Sequence, residues 1–333
     1  MSTNSLEPRV VESFPPSPGP VIETRGLTKR YGDVVALDRL DLAVPAGTVL
    51  GLLGPNGAGK TTALRILSTV ISADAGSARV LGMEVAARPD EVRAAIGLAG
   101  QYAAVNPVLT GRENLTLIGW LADLPPRKRR PRADELLERF GLAEAAGRPA
   151  RTYSGAMRRR LDLAAALVHR PRVLLLDEPT TGLNPAGRRD LWDVVRDLVP
   201  EGTTVLLTTR YLEEAERLAD RIVVMDRGRS IAEGTAAQLK ARLGAAVVEL
   251  GMPDAKSAER ARSLLWERGT WPVRGDAEQV ELTAPEGARA LIDATRMLDG
   301  AGLAPATVGV REPTLDDVFL SLTGRTAEAE EES

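Results

Sequence analysis

The chain has no cysteine. A disulfide framework, a thiolate nucleophile and a cysteine-based zinc site are therefore excluded. His169 is the only histidine, which closes off histidine-cluster metal chemistry and a Ser-His-Asp triad. It is expected to end a helix before Pro171 as a surface residue. No apolar run reaches the roughly 18–20 residues that span a bilayer. The longest candidate, residues 40–58, is interrupted by Pro45, Gly47, Gly51, Gly54, Pro55 and Gly57. The first twenty residues have neither a basic start nor an apolar centre, so they do not read as a secretory signal. Charge of one sign is also missing: 43 Lys and Arg against 46 Asp and Glu give a formal net charge of −3, where a dedicated nucleic-acid binder would be basic. The expectation from these absences is a soluble cytoplasmic protein with no nucleic-acid partner.

What is present is ordinary globular sequence. Hydrophobic residues make up 44% and charged residues 27% of 333, which excludes a wholly disordered chain and allows two or three domains. Residues 1–20, rich in Ser, Pro and Glu, read as a flexible tail. Strands are expected at 41–44, 48–53, 173–177, 204–208 and 221–226, with helices at 60–70, 186–198 and 212–219 between them; that alternation implies an α/β sheet. Residues 111–170 turn mostly helical, with candidates at 112–122, 132–140 and 154–168. The basic run 125–132 between two of these reads as a solvated loop. Beyond residue 239 the order strand, helix, strand, strand, helix, strand is the split-βαβ pattern of a ferredoxin-like α+β unit. The expected organisation is a nucleotide-binding domain over 21–240 with a helical subdomain at about 102–170, an accessory α+β domain over 241–324, and an acidic tail at 325–333.

Gly54-Pro55-Asn56-Gly57-Ala58-Gly59-Lys60-Thr61 matches G-x-x-x-x-G-K-[ST], followed by Thr62, with a strand expected before it and a helix after. Glycines let backbone wrap phosphate oxygens closely, and successive N–H groups at a helix N-terminus favour the negative charge. Lys60 is expected to reach the β- and γ-phosphates and the Thr61 hydroxyl to help hold Mg²⁺. The run Val173 to Leu176 is apolar and ends in Asp177 and Glu178. Asp177 would complete the Mg²⁺ shell, and Glu178 would orient or deprotonate the attacking water.

Between the two motifs lies Tyr153-Ser154-Gly155-Ala156-Met157-Arg158-Arg159-Arg160-Leu161. With the P-loop and the acidic strand, this resembles the nucleotide-binding subunit of an ATP-binding-cassette (ABC) transporter over residues 21–240. The segments GQYAAVNPVLTGRENL, YSGAMRRRLDLA and REPTLDDVFLSLTG resemble the daunorubicin/doxorubicin resistance subgroup. The resemblance implies a P-loop ATPase cassette that sandwiches two ATP molecules in a dimer. Ser154, Gly155 and Ala156 would face the γ-phosphate bound by the other copy. Tyr31 would stack on adenine, and Gln101 would touch Mg²⁺ and link to the membrane partner; in isolation an ordinary surface-turn aromatic and a solvated glutamine are the stronger readings, and the spacing relative to the P-loop reverses that. The implied function is hydrolysis of ATP to power drug efflux through a separate integral permease, at the cytoplasmic face of a bacterial cell membrane. An exporter of another cargo, lipid or glycan, and a regulatory nucleotide-binding subunit with weak turnover stay open. Three positions depart from the family pattern: Ala156 replaces a glycine, Asn184 an aspartate, and Arg210 the switch histidine. Arg210 is expected at the γ-phosphate as a fixed cation.

Overall fold

A computed structural model describes residues 19–100, 105–243, 246–268 and 271–323. The chain opens with β1 (Ile22–Tyr31) and β2 (Val34–Val44), an antiparallel hairpin turned by Gly32 at φ 58°. The fully buried β3 (Val49–Leu53) leads to α1 (Lys60–Leu67). Then come β4 (Ala75–Val80), β5 (Met83–Glu84), α2 (Pro89–Ala95) and β6 (Ile96–Ala99). The helical region holds α3 (Gly111–Leu121), α4 (Pro126–Arg139) and α5 (Gly155–Ala166). Thr110 and Glu113 cap α3 reciprocally, each side chain bonding the other's backbone N–H, an arrangement that satisfies two otherwise orphaned donors.

The chain then alternates through β7 (Val173–Asp177), α6 (Pro185–Leu198), β8 (Thr204–Thr209), α7 (Leu212–Leu218), β9 (Arg221–Asp226), β10 (Arg229–Gly234) and α8 (Ala236–Arg242). One sheet runs β2-β1-β4-β5 and the other β10-β9-β3-β8-β7-β6. In the second sheet β9, β3, β8, β7 and β6 are parallel, so their carboxyl ends share one edge. Ligands in open α/β sheets bind at that edge.

Two expectations are corrected here. The basic run is not a loop: residues 126–132 form the first two turns of α4. Pro126 starts the helix where its missing N–H is not needed, and α4 packs close to α3, with Arg129 carbons 3.6 Å from where a Cβ on Gly119 would stand. His169 is not a free surface residue. Its Nε2 lies 3.0 Å from the Ile96 carbonyl oxygen, and burial lowers its pKa.

The last part comprises β11 (Ala246–Gly251), α9 (Ala255–Glu267), β12 (Val273–Arg274), β13 (Gln279–Ala284), α10 (Gly287–Gly300), β14 (Thr307–Arg311) and α11 (Leu315–Thr323). Its antiparallel sheet is ordered β12-β13-β11-β14, which the split-βαβ connection produces. One face buries Val248, Leu250, Val280 and Leu282 against α9 and α10. On the other, Arg274 and Arg311 bond Glu281, Glu249 and Asp317. Helix α11 joins this unit to the nucleotide-binding part: Leu315, Val318 and Phe319 are buried in one cluster with Leu53, Leu212, Val224 and Leu239.

Candidate nucleotide site

The central strand β3 delivers the phosphate loop to the carboxyl edge. At Gly54 a Cβ would stand 2.3 Å from the Met225 carbonyl oxygen. At Gly59, φ is 97° and a Cβ would stand 2.3 Å from the Ala36 carbonyl oxygen. Only glycine fits either position, so the loop's tight course is fixed by the closeness of β9 and β2. Pro55 and Ala58 are buried under the loop, and Asn56 and Gly57 form its exposed lip. Gly59 caps α1 without a side chain, which leaves first-turn N–H groups available to an anion. Thr62 lies one position further along α1, half-buried.

Lys60 is only 4% exposed. Its Nζ donates to the carbonyls of Gly54 at 2.6 Å and Pro55 at 2.9 Å, and lies 3.9 Å from Glu178 Oε1. The Thr61 hydroxyl donates to Asp177 Oδ1 at 2.9 Å across 116 residues of sequence. Thr208 donates to the same oxygen at 2.7 Å. Thr61 and Asp177 thus set two hard oxygen donors side by side, the ligand type that suits a small divalent cation. Among the described residues no cluster of three or more His, Asp or Glu forms a protein-only metal cage.

Glu178 follows Asp177 in a left-handed conformation, φ 46°. For a non-glycine residue this costs about 1–3 kcal/mol, so neighbours must hold it. Its N–H donates to the Thr208 carbonyl at 3.1 Å and hydroxyl at 3.0 Å, and the Thr181 hydroxyl donates to its Oε2 at 3.2 Å. The turn brings a carboxylate to the same edge as Lys60 and Thr61. The arrangement can cradle a polyphosphate, hold a cation against it and accept a proton from water.

The remaining candidates make contacts of their own. Tyr31 ends β1 with 47% of its surface exposed, its ring centroid 5.7 Å from Lys29 Nζ. Ser154 caps α5 by accepting from the Met157 N–H at 3.2 Å, with Gly155 exposed and Ala156 half-buried in the first turn. Asn184 caps α6, accepting from the Gly187 N–H at 2.8 Å; at this position the amide serves as the aspartate would. Arg210 donates to the Tyr211 hydroxyl at 3.1 Å and stands 5.1 Å from that ring's centroid, with Arg188 at 4.2 Å. Gln101 lies outside the described residues.

Several residues of the site escape a reading of the sequence. Thr208 and Thr181 carry no motif. Glu214 is fully buried and accepts from Trp192 Nε1 at 3.0 Å. Burial raises its pKa, against the Trp192 hydrogen bond that lowers it. Arg159, one of three successive arginines, reaches the backbone of Glu178.

Residues 37–181 match a family described as ABC transporter. The chain is 54% identical over 305 residues to the daunorubicin resistance ATP-binding protein DrrA3 of Streptomyces coeruleorubidus, covering 91% of this chain and 96% of that protein. It is 39% identical over 317 residues to the Nod factor export ATP-binding protein I of Ralstonia nicotianae, covering 93% and 97%. Its fold is similar to a dimeric structure of a post-hydrolysis state of the ATP-binding cassette MJ0796 bound to ADP and Pi, with a TM-score of 0.59, 25% identity, and 64% of this chain and 98% of that one covered.

Proposed function

This chain belongs to the ABC transporter family as an ATP-binding, ATP-hydrolysing subunit, and from that membership we propose that it powers drug efflux through a separate membrane permease. The preference for a drug over a glycan or lipid cargo rests on the identities, 54% to a daunorubicin resistance protein against 39% to a Nod factor exporter. Among the described residues no helix is long and apolar enough to cross a membrane, so the passage itself falls to the partner. The subunit would sit against that permease at the cytoplasmic face of the cell membrane.

The observation that carries the chemistry is the convergence of Lys60, Thr61, Asp177 and Glu178 at one sheet edge. The loop from Gly54 to Gly59 wraps the phosphates with backbone N–H groups, and Lys60 turns its ammonium from the Gly54 and Pro55 carbonyls to them. Thr61 and Asp177 would hold Mg²⁺, joined in this reading by Gln101, and the bound ion would supply neutralisation of phosphate charge. Tyr31 stacks on adenine. Glu178 takes the proton of the attacking water. In a dimer of two copies, Ser154, Gly155 and Ala156 present the N-terminus of α5 to the nucleotide of the other copy.

The test is steady-state ATP turnover of the subunit with its permease. Glu178→Gln should bind ATP normally and lose turnover by about 100-fold or more. Unchanged turnover in Glu178→Gln would remove Glu178 from the chemistry.

A further inference from the structure

Three arginines follow one another on α5, and they part company. Arg158 is exposed, and Arg160 donates to the Phe140 carbonyl at 3.3 Å. Arg159 reaches to the catalytic edge of the sheet. Its Nε donates to the Pro179 carbonyl at 2.6 Å and its Nη1 to the Gly100 carbonyl at 2.6 Å. Its Nη2 donates to the carbonyls of Glu178 at 2.7 Å and Asp177 at 3.1 Å.

The topology explains why four carbonyls converge there. Strands β6 and β7 stay paired up to Ala99 and Leu176. One residue on, they separate, leaving carbonyls at both strand ends that the ladder no longer serves. A planar guanidinium with five donors fills such an opening; a lysine has fewer donors and no fixed plane. Burial lowers the pKa of Arg159, and the charges of Asp162, Asp177, Glu214 and Glu178 oppose that without cancelling it.

Glu178 is held from two sides. Thr208 takes its N–H, and Arg159 binds its carbonyl. Both grips act on a residue in a left-handed conformation, so releasing either lets the backbone relax and swings the carboxylate. We propose that Arg159 is a positioning residue for ATP hydrolysis, holding Glu178 in its reactive conformation by clamping the ends of β6 and β7 together. The inference rests on Glu178 being the base assigned above.

The experiment uses the full chain with its permease. It compares wild type, Arg159→Ala, Arg159→Lys, Glu178→Gln and the Glu178→Gln, Arg159→Ala double variant. Arg159→Ala should lower kcat about 10- to 100-fold, with affinity for a fluorescent ATP analogue within about threefold of wild type. Arg159→Lys should recover part of kcat. The double variant should still form an ATP-bound dimer, showing an intact fold and nucleotide site. A kcat for Arg159→Ala within about twofold of wild type would overturn the proposal. So would loss of kcat, ATP affinity and dimer together in every Arg159 variant, because that pattern marks a purely structural arginine. If Glu178→Gln turns over like wild type, the base assignment itself fails and with it the role given to Arg159. A normal Arg159→Ala beside an inactive Glu178→Gln removes only the arginine.

Discussion

Lys60 is the only cation of the phosphate loop, and its neighbours show how its charge is kept ready. Two carbonyls and a carboxylate hold the ammonium in a nearly buried position. Charge-assisted hydrogen bonds are worth about 1.5–3 kcal/mol each, so Lys60→Ala should weaken ATP binding by at least about tenfold, read by titration with a fluorescent analogue. Arg210 is expected to behave differently. Its guanidinium rests on Tyr211, so Arg210→Ala should alter ATP affinity less than Lys60→Ala does in the same titration. At this scale the sequence was most readable where chemistry is packed into short spacing. The loop from Gly54 to Thr61 and the pair Asp177–Glu178 are local motifs, and each is placed by a strand whose apolar run announces it. Thr208 and Glu214 were not readable. Their partners lie 31 and 22 residues away, and only the register of β7 on β8 and the seating of α6 on α7 bring them together.

Helix α11 shows how an element far along the chain can support the site. Phe319 is buried in a cluster that includes Leu53, the residue before Gly54. Phe319→Ala should cost about 3–5 kcal/mol and lower the melting temperature, and ATP binding should weaken with it if the loop loses its backing. Asp317 gives the same helix a pH signature. Burial alone would raise its pKa; hydrogen bonds from Arg311 and Thr314 outweigh that and hold it at about 2, against 3.8 for a free carboxyl. The folded value is depressed, so the stabilisation is present above about pH 4 and is lost as pH falls toward 2, amounting to about 2 kcal/mol. Urea unfolding of wild type and Asp317→Asn should therefore differ at pH 6 and converge near pH 2. Elements were readable where periodicity was strong: the buried run of β7 and the amphipathic pattern of α6 sit where expected. The basic start of α4 was not, because its charge and two prolines mimic a loop while packing against α3 supplies the helix. Nor was the length of β2, whose first residues Val34 and Val35 alternate too weakly to announce a strand.

In the whole molecule, the P-loop edge and the capped start of α5 are separate features of one copy, and the sandwich of two copies would bring them together. Glu178→Gln with ATP should elute from a sizing column as a dimer, and as a monomer without nucleotide; a monomer under both conditions at high concentration would remove the sandwich. The proposed drug cargo follows from likeness to drug-resistance subunits, and in the proposed pairing the passage lies in the permease. The most direct test is ATP-dependent drug uptake into inside-out vesicles carrying this subunit with its permease, with daunorubicin, the drug for which its 54% identical relative is named, as the probe. The account predicts uptake that requires ATP and disappears in Glu178→Gln although the variant stays bound to the permease. Equal uptake by wild type and Glu178→Gln, or none by wild type under conditions where it hydrolyses ATP, would contradict it.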